Sequence, residues 1–493
     1  MPAQAQEIAA LLPILIPALG GVWILVVVAA LGDREVAWPA AHAMALLGLS
    51  AAAAVVLLSA GLRFELLGGA LLIDRQALAF HLIFVTVAAL TLLASVRHLQ
   101  AARAAHGEFY ALILFAVSGM TMMAATDNLL TIFLGLEVLS ISLYVLAGFA
   151  RDEAFSIEGA LKYFLLGAFS TGFFLYGIAL FYGVTGRIDL GGIASHLAAA
   201  HGDPVDPLIL AGAALLLVGL AFKIAAVPFH FWAPDVYQGS LTPVSGFMAA
   251  GTKAAAFAAL LRVVELGLSD PPVRAKWMAI LSGLSVLSMV VANLVALAQQ
   301  NIKRMLAYSS IANAGYLLLA VAAGARTGRE TSVVLFYLAA YALMTVGAFS
   351  VAALVGRAGN ENDNEDEGQG YTIASYAGLG RRRPWLAAAM AIFMLSLTGI
   401  PPTAGFMGKF YIFKSAVDAG LYGLAGTGLV VSVVAAFYYL RVVVQMYLRD
   451  PGPSPAPGPL TAAESLGILA AAGGTIWIGL FPGALFDFVQ RAL

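Results

Sequence analysis

The chain has 493 residues, 61% of them hydrophobic and only 11% charged, with a mean hydropathy of +0.91. Soluble domains carry about 25% charged residues, so a soluble globular fold is excluded. The 26 Lys+Arg against 27 Asp+Glu lack the basic excess of a nucleic-acid binder, and the absence of cysteine removes disulfides, thiolate metal or iron–sulfur sites and a cysteine nucleophile together.

A membrane-spanning helix needs about 20 mostly apolar residues. Fourteen such runs follow one another: 7–31, 41–61, 76–96, 109–126, 129–149, 158–183, 207–238 (interrupted), 242–267, 275–297, 302–324, 331–356, 384–417 (interrupted), 420–448 and 462–490. Barrel strands are ~10 residues long and alternate in polarity, and these runs do neither. The expected fold class is therefore an all-α polytopic membrane protein. The first run has no Lys or Arg before it, unlike a cleavable signal peptide, and is expected to stay as a helix. The longest polar stretch, 357–383, holds the acidic run Glu361, Asp363, Glu365, Asp366 and Glu367, then Arg381, Arg382 and Arg383. It reads as a solvated loop with a basic anchor. Eleven loop cations lie in odd-numbered connections and nine in even ones or at the C-terminus. The positive-inside rule then expects odd connections in the cytoplasm and both termini on the periplasmic side.

Six cations remain inside the apolar runs: Lys162, Lys223, Lys253, Arg262, Lys409 and Arg441. Arg262 and Arg441 lie near helix ends, where snorkelling is the expectation. Four of the chain's seven lysines lie inside runs. Lys253, some 11 residues into its run, sits about 16 Å along the helix, near the midplane of a core ~30 Å thick. Lys223 follows LLLVGLAF, Lys409 follows GIPPTAGFMG, and Lys162 is closest to a border. Glu137 is the acidic counterpart, within LLTIFLGLEVLSISLYVL. Charges at mid-membrane are expensive, and the default reading of such groups is an ion or proton path. Lysine suits proton handling because it can release its proton as a carboxylate moves relative to it, whereas arginine stays charged. Asp127, Glu158, Asp235 and Glu265 lie near helix ends and read as solvated or capping.

Two runs contain prolines: the seventh has Pro228 and Pro234, the twelfth Pro401 and Pro402. Proline inside a helix frees backbone carbonyls, tolerated in a membrane only where protein or a hydrated cavity receives them. Each break has a lysine nearby, Lys223 and Lys409. Two broken helices five apart suggest a five-helix unit used twice, helices 4–8 and 9–13. An odd number of helices per unit inverts the second copy. The expected division is an N-terminal three-helix segment (1–108), a first repeat (109–267), a second (268–448) and a C-terminal helix (449–493).

Four segments carry a resemblance. They are FLGLEVLSISLYVLAGF around Glu137, EGALKYFLLGAFSTGFFLYG around Lys162, FKIAAVPFHFWAPDVYQGSLTPVSGFMAAGTKAAAFAALLR spanning Lys223 and Lys253, and YAGLGRRRPWLAAAMAIFMLSLTGIPPTAGFMGKFYIF around Lys409. The chain resembles the antiporter-like membrane subunits of respiratory complex I and of multisubunit cation/proton antiporters. Within that family it is similar to the N-type branch of NADH–quinone oxidoreductase, the counterpart of mitochondrial subunit 2. Lys253, where L-type and M-type members usually place histidine, Lys409, where the M-type has glutamate, and a chain ending just after the fourteenth helix carry that likeness.

The resemblance implies a proton-translocating subunit of the bacterial inner membrane, part of a translocase but with no redox centre of its own. NAD, FMN, iron–sulfur clusters and quinone are expected in other subunits. The implied partners are other membrane-arm subunits, neighbouring antiporter-like ones included, together with lipid, protons and water. It implies that Glu137 modulates Lys223 with Lys162 nearby, that Lys253 connects along a central polar axis, and that Lys409 exchanges protons at the far half-channel. His230 matches the FH–W segment and reads as a structural or hydration-lining residue, with a relay role as the alternative. A sodium/proton antiporter subunit is the competing function, and a quinone-binding membrane enzyme a further one.

Overall fold

The computed structural model describes residues 3–32, 37–59, 63–199, 205–327, 330–360, 369–452 and 457–491. The acidic run 361–367 lies outside them. In chain order come α1 (Ala3–Leu31), α2 (Ala37–Leu58), β1 (Phe64–Leu66), β2 (Leu71–Ile73), α3 (Arg75–Ala101), α4 (Glu108–Ala124), α5 (Leu129–Ala147), α6 (Ala154–Thr185) and α7 (Leu190–Ala199). Then follow α8 (Pro207–Lys223), α9 (Trp232–Gly239), α10 (Thr242–Phe247), α11 (Lys253–Arg262), α12 (Pro271–Ala298), α13 (Ile302–Thr327) and α14 (Glu330–Asn360). The chain closes with α15 (Leu379–Arg382), α16 (Pro384–Thr398), α17 (Ala404–Asp418), α18 (Tyr422–Leu448), α19 (Ala462–Leu480) and α20 (Pro482–Arg491).

Among the described residues, 11 helices are long and apolar enough to cross a membrane, the continuous Thr242–Gly267 stretch that contains α10 and α11 among them. Three shorter apolar helices, α4, α8 and α16, supply the remaining passes. As expected, α8 with α9 and α16 with α17 form the seventh and twelfth passes as broken helices. The parity of the connections agrees with 14 passes. On one side Arg262 reaches Asp74, Leu129 bonds Ile188 and Thr126 bonds Ala70, joining connections 2, 4, 6 and 8. On the other, Ile373 bonds Gln300, Gly378 bonds Gln445 and Arg97 bonds Pro459, joining connections 3, 9, 11 and 13. A miscounted pass would mix the two sets.

Helix starts are set by short polar side chains. Asp74 accepts from Ala77 N (2.9 Å), Asn128 accepts from Leu130 N (3.0 Å), and Thr461 with Glu464 forms a capping box on α19. The Thr242–Gly267 pass, α13 and α14 are almost wholly enclosed by protein, whereas α1, α2, α6 and α18 keep most of their surface outward. The centre of the bundle is therefore built from the passes that carry the polar groups, and the outer helices meet lipid or other chains.

Two elements were not expected: the β1–β2 hairpin, paired antiparallel with Phe64 opposite Ile73, and the short helix α7. Arg262 does not snorkel either. Its side chain is 4% exposed and forms a two-pronged pair with Asp74, Nη1 to Oδ2 at 2.7 Å and Nη2 to Oδ1 at 2.5 Å. The Asp74 carboxylate at the start of α3 makes burial cheaper than stretching the side chain to the surface. Removing one partner of such a pair strands the other, so Arg262→Ala is expected to cost about 3 kcal/mol of stability. The double change Arg262→Met with Asp74→Asn should recover much of this in a thermal-unfolding series of the purified protein; an Arg262→Ala midpoint equal to wild type would contradict it.

Candidate functional site

Both broken passes end their first half in the same local way. Ala225 and Gly399 take left-handed backbone conformations (φ 56° and 90°) just past α8 and α16, and a proline follows three residues later in each case, Pro228 and Pro402. Such a residue closes a helix C-terminus by turning the chain back on the last carbonyls: Ala226 N bonds Ala221 O, and Ile400 N bonds Leu395 O. The last carbonyls of a half-helix carry partial negative charge. A lysine lies at each break.

Lys223 is the final residue of α8 and is 3% exposed. Its Nζ donates to Ser140 Oγ of α5 (2.8 Å) and to Tyr163 OH of α6 (3.1 Å). Lys409, 5% exposed on α17, reaches across its break and donates to Leu397 O (3.0 Å) and Thr398 O (3.1 Å), the freed carbonyls of α16. Lys253, 2% exposed, donates to Ser310 O of α13. At the second break the helix end and the lysine are thus one device, because the backbone supplies acceptors that an intact helix would have consumed; at the first, hydroxyls of α5 and α6 take that part.

Glu137 sits one helical turn before Ser140 on α5, half-buried, and its Oε1 is enclosed with no hydrogen-bond partner. The hydrogen-bond partners of the Lys223 ammonium are Ser140 and Tyr163, so Glu137 lies beside this site without a hydrogen bond to the lysine. His230 lies buried in the break between α8 and α9 with Nδ1 unpartnered.

Lys162 differs from the expectation of a buried group. Its side chain is 43% exposed near the start of α6, paired with Glu158 Oε1 (2.6 Å) and Asp235 Oδ2 (2.8 Å). Asp235 also takes Arg304 Nη1 at 2.7 Å, so it is the hub of a charge cluster and not a solvated helix end. Glu158 likewise is paired, and Glu265 accepts from Thr331 Oγ1. Lys303, expected as a loop cation, is 4% exposed and donates to Gln238 O (2.7 Å) and Ser240 O (2.6 Å) at the end of α9. Its sequence neighbourhood, QQNIKRML, is polar on one side, which hides the burial.

Between Lys253 and Lys409, α13 presents a row of polar groups. Asn313 Nδ2 donates to Ser309 O (2.9 Å), Tyr337 OH donates to Asn313 Oδ1 (2.5 Å), Ser309 Oγ contacts Tyr439 OH, and Ser432 Oγ donates to Tyr316 OH (2.9 Å). Ser309, Asn313 and Tyr316 fall at i, i+4 and i+7, one face of a helix. That spacing was available in the sequence, but hydroxyl and amide side chains carry no charge and do not stand out in an apolar run.

A family model described as "NADH:quinone oxidoreductase/Mrp antiporter, TM" matches residues 126–435, which include all the lysines above. A curated NADH-quinone oxidoreductase subunit N from Trichlorobacter lovleyi is 47% identical over 91% of this chain and 90% of its own length. A chain of respiratory complex I from Thermus thermophilus, solved with bound aureothin, superposes with a TM-score of 0.80 at 39% identity, covering 96% of this chain and 98% of that one. A chain of the Mrp complex from Dietzia shares the fold (TM-score 0.83, covering 98% of this chain and 97% of that one) at only 21% identity. Identity sustained along nearly the whole length separates these likenesses: this chain belongs to the subunit N family of NADH-quinone oxidoreductases, antiporter-like membrane subunits of complex I.

Proposed function

We propose that the chain translocates protons through Glu137, Lys223, Lys253 and Lys409, driven by quinone reduction elsewhere in the complex. The observation that carries this reading is the enclosure of three lysines within the apolar passes, each held by hydroxyls or backbone carbonyls rather than by a carboxylate at contact distance. A lysine so held can return to the neutral amine without leaving a buried carboxylate uncompensated. Lys162, with its two carboxylates and partial exposure, belongs at the mouth of the path, where Asp235 and Arg304 share its charge; His230 lines the break. The subunit works as a non-redox part of an NADH:quinone translocase, with partners in the membrane arm meeting its exposed outer helices. The cofactors NAD, FMN, iron–sulfur clusters and quinone belong to those other subunits.

The inverted five-helix repeat is part of the proposal. Counting from the left-handed residue of each break, Asp235 and Lys409 both fall ten residues on. The two halves thus place an ionisable side chain at one register position, with opposite sign. Odd connections face the cytoplasm and both termini the periplasm, on a balance of loop cations that stands at ten against nine once the enclosed Lys303 is set aside. The remote Mrp likeness supports the fold rather than an antiporter role.

Glu137→Gln tests the reading. The amide keeps the size and removes the charge, and a lost through-space attraction of about 1.4 kcal/mol is worth about tenfold. Proton pumping by the assembled complex in proteoliposomes is expected to fall by about that factor. Wild-type pumping in an assembled Glu137→Gln complex would overturn the role of Glu137.

A further inference from the structure

We propose that tyrosine ring faces act as the counter-charges of the buried lysines, and that Tyr316 beneath Lys409 is the positioning residue that holds its ammonium at the end of the path. The inference rests on the relay reading above and deepens it. Lys409 Nζ lies 4.9 Å from the centroid of Tyr316, Lys253 Nζ 5.8 Å from Tyr341, and Lys223 Nζ 5.8 Å from Tyr144, its contact with Tyr163 being the hydroxyl hydrogen bond at the ring edge. Lys303, the remaining enclosed lysine, lies 4.8 Å from Tyr371. A cation within about 6 Å of a ring centroid is drawn to the negative face of the π system, more strongly when both are desolvated. Lys162, the half-exposed one, has two carboxylates instead. Enclosure and a nearby ring therefore go together among the lysines, and the two that are paired with carboxylates, Lys162 and Lys414, are both half-exposed.

The chemistry explains the choice. A carboxylate in contact with a buried ammonium fixes the proton, because losing it strands a buried anion. A ring has no net charge to strand. It attracts the ammonium and tolerates the amine, so the lysine can be charged and discharged in one place. The site around Lys409 is arranged for this. Tyr316 is fully enclosed, and its hydroxyl is fixed by Ser432 Oγ at 2.9 Å. Gly408, the residue before Lys409, leaves room for Tyr337, since a Cβ there would meet its ring at 2.4 Å. The groups around Lys409 are thus Tyr316 of α13, Tyr337 of α14 beside Gly408, and two carbonyls of α16.

A graded substitution separates ring charge from ring shape. Tyr316→Phe is the reference, and mono-, di- and trifluorinated phenylalanines placed at 316 by nonsense suppression weaken the negative face at nearly constant size. Proton pumping by the assembled complex should fall stepwise with each fluorine, to about a tenth of the Tyr316→Phe value at three. A flat series overturns the proposal, because packing and hydrogen bonding do not change along it. If Tyr316→Phe does not assemble, the same series at Tyr341 under Lys253 decides. Lys409→Ala run in parallel keeps the two readings apart. Full pumping in that variant removes Lys409 from the relay, whereas an inactive Lys409→Ala with a flat fluorination series removes only the ring.

Discussion

Lys223→Ala is expected to lower proton pumping by the assembled complex at least about tenfold, a conservative figure for a lost proton-transfer group. The variant should nevertheless assemble. Deleting a charge from an apolar pass removes an insertion cost of up to about 2.5–3.5 kcal/mol. Of the partners left behind, Ser140 Oγ still donates to Leu136 O at 2.5 Å, and the Tyr163 ring stays stacked on Trp232 at 4.4 Å although its hydroxyl loses the lysine. The cavity left by the side chain offsets part of this gain. Lys223→Arg sharpens the test. It keeps the charge but cannot release a proton, so it should pump no better than alanine if proton exchange at 223 is the function. Pumping assayed in proteoliposomes, alongside quinone reductase turnover and the yield of intact complex, reads all three. Full pumping in an assembled Lys223→Ala complex would sink the assignment of Lys223, whereas recovery in Lys223→Arg would recast the residue as a fixed charge.

The legible part of this chain was what hydropathy and rare residues record. Fourteen apolar runs gave the passes, because each helix must satisfy its own backbone in the membrane. Lysines stood out where only seven exist, and prolines marked both breaks. The illegible part is pairing. Arg262 finds Asp74 188 residues away, and Lys162 finds Asp235 73 residues away. No local pattern encodes which helix faces which. Lys409 binds backbone carbonyls, which every residue possesses, and Tyr316 gives no sequence signal beyond being aromatic. Lys303 looked like a loop cation because it starts a helix; Tyr371, from a distant connection, covers it. The hairpin was missed because its strands are three residues each, too short for an alternating pattern, although Gly68 and Gly69 with positive φ mark its turn.

Gly405→Ala is expected to be the most damaging single-methyl change near the site. A Cβ at 405 would lie 1.9 Å from Ser396 O and 2.7 Å from Ser396 C, backbone atoms that cannot swing aside. Gly405 N also donates to Ser396 Oγ at 3.0 Å, so the start of α17 rests directly on the last turn of α16. Pushing them apart moves Leu397 O and Thr398 O, the acceptors of Lys409. Overpacking of this kind costs about 3 kcal/mol. Gly399→Ala should be milder, about 1–2 kcal/mol for a left-handed alanine, with Lys409 Cδ 3.0 Å from the new methyl. Gly426→Ala in α18 has nothing within 4 Å and should be neutral or slightly stabilising, by less than about 1 kcal/mol. Thermal midpoints of the three assembled variants give the ranking, and Gly405→Ala behaving like Gly426→Ala would refute it. The ordering follows from GIPPTAG being a packing motif as well as a helix break: the glycines let two half-helices touch closely enough for one lysine on the second to bind the carbonyls of the first.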